Sequence, residues 1–466
     1  MNHLCRLPLM INLYAITQAE YYALEELHDS IGIVPDVPIC FVVEGDKRKY
    51  CYEKGYRVVY FTHLDINVDF PSSEIVSYIE GKSLYIKTDI LGCIIQALSR
   101  HEEKYDSKDR YGRASLDESF AYKQGFHQNS YLDRLIGQFE EHFLAYLDSQ
   151  GISWRKKLPS EKPIICLTHD VDSIQGKSIV RYSFWLLSAL LSLKRNKIKE
   201  ALNKIRMHIK LDDDPHFSFQ TFYEMEKSCG FKSTFFLMSL TFFLGTEGRR
   251  YSLNRPSLRK VLRTLVENGW EVGLHPSRIT HHSKTKLKKE LDRLNSFMEV
   301  ITPLKGMRNH FLRASFPKTW QIQEELGILY DSTLAWPTTP GFRAGTARPF
   351  RPFDYELNRR LDVWELPLIV MDKTLSGSAK EIIAVCERFS DECFKYKTPF
   401  TLLWHTDHLS KLEYPNFHHA YSAMLKNFRH RDCIGLTATE VIETYALYSE
   451  GMRKHRKRAC PSNDSY

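Results

Sequence analysis

The stretch at residues 163–172, PIICLTHDVD, constrains the chain more than any other. Its continuous apolar run is typical of a strand buried on both faces, as in a parallel α/β sheet. The run ends in Asp170 and Asp172, and residues two apart on an extended chain point to the same side. We therefore expect both carboxylates in one pocket at the C-terminal end of the strand, where a metal ion, a proton or a basic partner must offset their charges. For so short a motif, the alternative is an ordinary strand exit with solvated aspartates.

Beyond this strand, apolar runs alternate with helical patterns as far as residue 449. Such alternation is typical of parallel βαβ units, so the fold class is α/β and we expect a distorted (β/α) barrel of about seven strands. The pattern at 257–268 is an example, because apolar residues recur at helical spacing and Gly269 follows as a stop. The expected strands lie at 164–167, 233–240, 270–275, 304–310, 328–334, 363–370 and 401–405.

The chain divides into a smaller N-terminal unit and the barrel. Residues 1–150 are expected to form an α/β or α+β accessory domain, and residues 151–162 a linker. The barrel domain spans 163–450, and residues 451–466 are expected to form a basic, disordered tail. Within the accessory domain we predict strands at 37–43 and 58–61, helices at 75–79, 90–99 and 131–146, and a polar loop at 102–128.

A basic helical insertion is expected at residues 177–210. It carries nine Lys or Arg against one Glu, a local excess equal to the net charge of +8 of the whole chain. The segment is either a helical hairpin packed on the barrel or, through residues 179–210, a peripheral contact with an anionic membrane surface. Because the rest of the chain is close to neutral, its charge does not predict a nucleic-acid-binding protein.

Cysteine usage and the N-terminus indicate the compartment. None of the ten cysteines forms a C-x-x-C pair, which suits a reducing cytoplasm. The first 22 residues are a poor signal peptide, because Arg6, Pro8 and Asn12 interrupt the apolar run. No apolar stretch of the sequence reaches the length of a transmembrane helix. We therefore expect a cytoplasmic protein, with peripheral attachment at the inner face of the membrane as the alternative.

Polar side chains collect where the predicted strands end. Because the C-terminal ends of parallel barrel strands share one face, we expect these residues to meet. Aspartate and histidine suit Zn²⁺ or a similar divalent ion, which would let Asp170 and Asp172 lie together, polarise a carbonyl and activate water. The residues concerned are Asp170, Asp172, His275, Arg308, His310, Asp331, Glu365, His405, Asp407 and His408.

The order of these residues resembles that of the NodB-homology polysaccharide deacetylases, family 4 of the carbohydrate esterases. The family's T-F-D-D signature stands here as Thr168-His169-Asp170-Val171-Asp172, similar to the D-V-D form of a variant subgroup with an extra N-terminal domain. The family's later motifs fall on His275-Pro276-Ser277-Arg278-Ile279, Arg308-Asn309-His310-Phe311 and Leu403-Trp404-His405. The likeness covers residues 163–410 and implies a NodB-like barrel.

The resemblance implies a role for each matched residue. Asp170 would take a proton from the attacking water, Arg308 would orient Asp170, and His405 would protonate the leaving amine. Asp172 and His275 would hold the divalent ion, with Zn²⁺ favoured. The side chains expected to contact substrate are Asp331, Arg343 and Trp404, with Leu366 lining the acetyl pocket.

One position departs from the family pattern. Ile279 stands where the family has its second metal-binding histidine, so the Asp-His-His set is incomplete. His281 or His282 could replace it if the loop bends, and His310 could reach in from a strand end; we favour His310. A site with only two ligands would bind metal weakly.

These observations lead to one principal hypothesis and two rivals. The resemblance implies a metal-dependent hydrolase of carbon–nitrogen bonds that removes N-acetyl groups from sugars of a bacterial surface polysaccharide or its precursor. The first rival, supported by Ile279, is a catalytically silent carbohydrate-binding or assembly protein on the same fold. The second is a basic, membrane-associated scaffold built on residues 177–210.

Overall fold

The described part of the chain holds two sheets and the helices around them. The computed structural model describes residues 11–14, 17–43, 57–62, 74–104, 108–174, 190, 217–240, 251–298, 303–411 and 413–458. Apart from position 190, the predicted insertion at 177–210 lies outside these residues, as do residues 459–466 of the predicted tail. Within the described ranges, every helix falls short of the length and apolar character needed to cross a bilayer.

The N-terminal unit is a mixed sheet with helices on one face. Its described strands are β1 (Ile11–Tyr14), β2 (Ile33–Pro35), β3 (Ile39–Val43), β4 (Arg57–Phe61), β5 (Ser77–Glu80), β6 (Ser83–Ile86) and β7 (Trp154–Lys156). Strands β1, β3, β4 and β6 are parallel neighbours in that order, and β5 pairs antiparallel with β6 at one edge. Strands β2 and β7 form a separate antiparallel pair.

Alternation along the strands decides which face of this sheet packs against helices. In β3, Phe41 belongs to the main core of the unit, whereas its neighbours Cys40 and Val42 belong to a smaller cluster on the other face. The ring of Phe41 lies 6.3 Å from that of Phe139 and 5.5 Å from that of Phe143, both on the long helix. The described helices of the unit are α1 (Gln18–Ile31), α2 (Ile90–Ser99), α3 (Phe120–Lys123) and α4 (Tyr131–Ser149).

The predicted helix at 75–79 is wrong, because this stretch is part of a hairpin. Its residues enter β5, which pairs with β6 across a tight turn. Gly81 adopts a φ of 57° in that turn, a left-handed conformation that glycine reaches without strain. Five residues were too few to separate helical from strand periodicity. The predicted helices at 90–99 and 131–146 are confirmed as α2 and α4.

The second sheet is an open parallel barrel, which confirms the predicted α/β fold class. Its described strands are β8 (Ile164–Val171), β9 (Ser233–Leu237), β10 (Glu271–Leu274), β11 (Gly306–Met307), β12 (Tyr330–Asp331), β15 (Trp364–Glu365), β16 (Val370–Met371), β17 (Phe400–Leu403) and β18 (Ile434–Gly435). The sheet order is β15-β12-β11-β10-β9-β8-β17-β16, and β18 pairs in addition with β8. A short hairpin of β13 (Phe353–Asp354) and β14 (Arg359–Arg360) lies outside this sheet.

The single strand predicted at 363–370 is two strands at opposite ends of the sheet. Pro367 lies between them and cannot donate a ladder hydrogen bond, so it interrupts the extended run. The connecting residues bridge the gap in the barrel: Leu366 N–H donates to the Asp331 carbonyl at 2.8 Å, and Ile369 N–H donates to that of Thr401 at 3.1 Å. The sheet therefore has eight strands along its main path where about seven were expected.

Helices cover the outside of the barrel and close its lower end. They are α5 (Phe219–Cys229), α6 (Pro256–Glu267), α7 (Lys284–Met298), α8 (Lys318–Glu325), α9 (Ala379–Lys395), α10 (Pro415–His430) and α11 (Ala438–Arg453). Helix α11 begins with a capping box of Thr437 and Glu440. Its Thr439 N–H donates to Glu271 at the start of β10, at 2.9 Å. Because α11 covers the N-terminal ends of the strands, the C-terminal ends are left to build a site.

The two units share a core and are tied together by strands from either end of the chain. Trp320 of α8 and Phe350 of the barrel belong to the same buried cluster as Phe41 and Phe139. A disordered tail is expected from residue 451, but α11 continues to Arg453, and β19 (Arg456–Arg458) pairs with β1. Strand β7, within the expected linker, pairs with β2.

Candidate metal centre and active site

The polar residues singled out in the sequence converge at the C-terminal face of the barrel. Asp170 lies in the last part of β8, and Asp172 follows that strand directly. His275 follows β10, Arg308 follows β11, and His405 lies two residues beyond β17. Parallel strands deliver these positions to one face whatever their distance along the chain.

Three of these side chains form a candidate metal centre. Asp172, His275 and His310 each offer one ligand atom, and these atoms lie within 4.8 Å of one another. Asp172 Oδ1 lies 3.3 Å from His275 Nε2 and 3.7 Å from His310 Nε2. Asp172 Oδ1 and His275 Nε2 are buried without a well-aligned hydrogen-bond partner among the described residues. Such a carboxylate-and-imidazole set, with unsatisfied atoms turned towards one another, fits a divalent ion such as Zn²⁺.

A hydrogen bond to the backbone orients His275, one of the two histidines of this trio. His275 Nδ1–H donates to the carbonyl oxygen of Arg308 at 2.7 Å, which turns Nε2 towards Asp172. Burial lowers the pKa of the His275 imidazole, but the adjacent Asp170 and Asp172 carboxylates outweigh that effect and raise it. Burial lowers the pKa of His310 to about 4, so this imidazole is neutral near pH 7, the form that binds metal.

Asp170 is held by a buried arginine. Arg308 Nη1 donates to Asp170 Oδ1 at 3.1 Å and to Thr168 Oγ1 at 2.8 Å. Its Nε and Nη2 donate to the carbonyl and hydroxyl oxygens of Ser332, both at 2.8 Å. Because these hydrogen bonds fix the guanidinium, they also fix Asp170 Oδ1. The other oxygen, Asp170 Oδ2, lies 3.7 Å from His275 Nε2. The arrangement suits a carboxylate that accepts a proton beside the metal centre.

His405 approaches the same centre from β17. Its Nδ1–H donates to Asp372 Oδ1 at 2.6 Å, and its backbone N–H donates to Asp372 Oδ2 at 2.9 Å. His408 also contacts Asp372, at 2.9 Å. Although burial raises the pKa of Asp372, these two imidazoles hold it well below its usual range. The bond at Nδ1 leaves His405 Nε2 facing the centre, 3.9 Å from Asp172 Oδ2.

Sequence reasoning missed two residues of this face, Asp372 and Lys373. Lys373 Nζ donates to Asp172 Oδ2 at 2.9 Å, opposite the oxygen that faces the histidines. Burial raises the pKa of Asp172, but Lys373, followed by His310 and His275, brings it well below the usual range. Both residues follow β16 directly. A search for polar residues at strand ends would have found them if the predicted strand at 363–370 had been divided at Pro367.

Other sequence candidates lie in different contacts. Asp331 is fully buried, accepts a hydrogen bond from Thr333 Oγ1 at 2.5 Å and pairs in register with Glu365. Trp404 is fully buried, and its ring lies 5.1 Å from that of Tyr421 on α10. Arg343 is buried and donates to Glu103 of the N-terminal unit. The substrate contacts proposed for these three side chains stay predictions.

The alternative ligands near Ile279 are not part of the trio. The Ile279 side chain is exposed, and His281 Nδ1–H donates to the carbonyl of Arg278 at 2.8 Å. Burial lowers the pKa of His281 to about 4. Among the described residues, the group that could hold a metal includes His310 and neither His281 nor His282. His310, which lies beyond the end of β11, is therefore the third member of the candidate trio.

The fold of the described residues is an open parallel (β/α) barrel with an added N-terminal unit. A family model described as a family of unknown function (DUF7033) matches residues 42–146. A search of curated proteins finds no match.

Solved structures to which this chain is similar include two polysaccharide deacetylases and an allantoinase. A putative polysaccharide deacetylase from Mycobacterium smegmatis is 14% identical with a TM-score of 0.41, over 66% of this chain and 97% of that one. A probable polysaccharide deacetylase from Pseudomonas aeruginosa PAO1 is 11% identical with a TM-score of 0.40, over 61% and 91%. PuuE allantoinase is 10% identical with a TM-score of 0.40, over 63% and 94%.

Proposed function

We propose that this protein is a metal-dependent hydrolase that removes N-acetyl groups from sugars of a bacterial surface polysaccharide or its precursor. One observation carries the proposal: a fixed carboxylate and an oriented imidazole each lie within 4 Å of a residue of the candidate metal centre. Asp170 is 3.7 Å from His275, and His405 is 3.9 Å from Asp172. Amide hydrolysis needs this set of parts: a base for water, an electrophile for the carbonyl and an acid for the amine.

Asp172, His275 and His310 would hold the ion. A divalent ion held by these residues supplies Lewis-acid polarisation of an amide carbonyl and lowers the pKa of a water molecule. Asp170 takes a proton from the attacking water as the new carbon–oxygen bond forms. Arg308 keeps the carboxylate aimed during the transfer, because its guanidinium is fixed by Ser332 and Thr168.

His405 completes the reaction at the leaving nitrogen. Its Nδ1–H is bound to Asp372, so the proton that it can give away is on Nε2, the atom that faces the centre. Protonation of the nitrogen accompanies cleavage of the carbon–nitrogen bond and releases acetate and the amine. The hydrogen bond to the buried Asp372 carboxylate keeps the His405 ring oriented until that step.

The substrate class rests on the resemblance of the motifs to those of the polysaccharide deacetylases. Acetate release from N-acetylglucosamine oligomers and from N-acetylated surface polysaccharide would test it, with metal-loaded wild-type protein and Asp170→Asn in parallel. We expect acetate from wild type only, and equal metal content in both proteins. Full activity of Asp170→Asn would overturn the assignment of the base.

A silent carbohydrate-binding protein is the second candidate, and Lys373 favours it. Its ammonium group is bound to Asp172 Oδ2 and lies close to the position where an ion would add further positive charge. Metal content separates the two functions. A protein that binds the same oligomers but holds no ion after reconstitution with Zn²⁺ would be the binding protein.

A further inference from the structure

A hydrogen-bonded hairpin of the N-terminal unit lies against the loop that carries His310. The hairpin comprises residues 108–114, within the region matched by the family of unknown function. Lys108 and Ala114 form an antiparallel bridge, and Gly112 N–H donates to the Asp109 carbonyl at 2.8 Å. Asp109 Oδ1 accepts from the N–H of Tyr111 at 2.8 Å and of Arg113 at 3.0 Å. One aspartate therefore fixes the shape of the whole turn.

Three consecutive hairpin residues contact the loop at residues 310–313. The Tyr111 ring stacks on the Phe311 ring, with 5.2 Å between centroids and 22° between planes. Gly112 lies so close to the loop that a Cβ there would be 2.8 Å from Arg313 Nη2.

Arg113 makes the third contact. Its Nη1 donates to the Phe311 carbonyl at 3.2 Å, while its Nε donates to Asp109 Oδ2 at 2.7 Å. The guanidinium is therefore anchored on the hairpin side before it reaches across to the loop.

The loop needs such support because its backbone is strained. Phe311 and Leu312 have φ values of 61° and 54°, a left-handed conformation that bulky residues avoid. Such a conformation persists only where surrounding contacts impose it. The strained residues follow His310 directly, and the Phe311 ring lies 4.3 Å from the His310 ring, which in turn lies 5.1 Å from the His275 ring.

We propose that the hairpin at 108–114 is a positioning clamp that holds His310 in the metal centre, with Tyr111 and Arg113 as its working side chains. The inference rests on the proposed metal centre and assigns a task to the N-terminal unit. None of the described residues of this unit belongs to the group that could hold a metal. The unit holds the strained turn that directly follows His310.

The test is the affinity for Co²⁺ or Zn²⁺ of the full-length protein and of clamp variants. Tyr111→Leu and Arg113→Ala should each weaken binding about tenfold or more, in the range found when residues supporting metal ligands are changed. Tyr111→Phe keeps the ring and should bind as wild type does. Arg431→Ala, which removes a surface contact with Asp391 on the outer helices, is the matched arginine control and should have no effect.

A double-mutant cycle separates positioning from general stability. If Tyr111 and Arg113 both act by holding the turn that follows His310, the losses in affinity from Tyr111→Leu and Arg113→Ala should not add in the double variant, because either change alone releases the same turn. Additive losses in the cycle would overturn the clamp, and so would unchanged affinity in Arg113→Ala. Should Arg113→Ala fold poorly, Arg113→Lys is used in its place. Lysine keeps the positive charge beside Asp109, but its single ammonium group cannot bind both Asp109 Oδ2 and the Phe311 carbonyl oxygen.

The failures of the clamp and of the proposed function are distinguishable. Wild-type protein that binds no metal overturns the metal centre, and the clamp with it. If wild-type protein binds metal and the Tyr111 and Arg113 variants bind it with the same affinity, only the clamp is overturned.

Discussion

At the scale of single residues, the carboxylate of Asp172 is divided between two neighbours. Its Oδ1 faces His275 and His310, and its Oδ2 accepts the Lys373 ammonium at 2.9 Å. The lysine both orients the carboxylate and repels a cation. We expect repulsion between the ammonium and a divalent ion held at Oδ1 to outweigh the orienting effect of one hydrogen bond.

Lys373→Met should therefore raise the affinity for Zn²⁺ about tenfold or more. Competition titration with a chromophoric chelator measures the change. Lys380→Met, on the exposed first turn of α9, is the matched control and should leave affinity unaltered. Weaker binding by Lys373→Met would show that the orienting role dominates.

Asp372 should matter for turnover but not for metal binding. Asp372→Asn can no longer fix the Nδ1–H tautomer and the orientation of the His405 ring. We expect kcat to fall by about 10²–10⁴-fold, with metal content unchanged. Steady-state kinetics beside elemental analysis checks both. Loss of metal in this variant would place Asp372 in the centre itself.

At the scale of elements, a buried network fastens α5 to the strands behind the site. Glu226 accepts from Ser233 Oγ at 2.7 Å, Trp270 Nε1 at 2.6 Å and Tyr421 OH at 2.8 Å. His169 contacts the same carboxylate at 2.8 Å, and its Nδ1–H donates to the Trp404 carbonyl at 2.8 Å, next to His405. One glutamate thus joins four elements and supports the position of the proposed acid.

Glu226→Ala should cost about 3–5 kcal/mol in the free energy of unfolding, because several fully buried donors lose their acceptor. Urea unfolding followed by circular dichroism measures it. Glu224→Ala, exposed on the same helix, should change stability by less than about 0.5 kcal/mol. Similar values for the two variants would show that the network is not needed for stability.

Element prediction from sequence succeeded where the pattern was long and failed where it was short. The nineteen-residue helix α4 and the β8 strand followed from periodicity and a continuous apolar run. The hairpin of β5 and β6 and the division at Pro367 did not, because two to five residues carry too little periodicity. The second error hid Asp372 and Lys373, which depend on knowing where β16 ends.

At the scale of the whole molecule, the N-terminal unit and the barrel are joined by a buried ion network. Arg343 of the barrel donates to both oxygens of Glu103, at 2.8 and 2.6 Å. Arg100 donates to Glu103 as well, at 2.8 Å. Burial raises the pKa of Glu103, but Arg343 and Arg100 outweigh it and lower the pKa from 4.5 to about 2.

The lowered pKa of Glu103 predicts that the free energy of unfolding depends on pH. Because the folded-state pKa of Glu103 is lowered, its contribution of about 3 kcal/mol is present above pH 4.5 and is lost as pH falls towards 2. The difference in free energy of unfolding between wild type and Glu103→Gln should therefore shrink over that window. Glu118→Gln, an exposed partner of Lys123, is the control. A difference independent of pH would contradict the account.

The residues of the candidate site could be predicted from the sequence, but the contacts between the N-terminal unit and the barrel could not. Asp170, Asp172, His275, Arg308 and His405 all lie at strand ends, where parallel topology brings them together. The salt bridge of Arg343 to Glu103 and the stacking of Tyr111 on Phe311 join residues about 200 or more positions apart in different units. Local sequence patterns carry no information about such contacts.

The central claim is that Asp172, His275 and His310 hold a divalent ion. Elemental analysis of wild type, His275→Ala, His310→Ala and Asp170→Asn after reconstitution with Zn²⁺ tests it most directly. We predict about one ion per chain in wild type and Asp170→Asn, and its loss from both histidine variants. Wild type without metal, or His310→Ala with a full ion, would contradict the account.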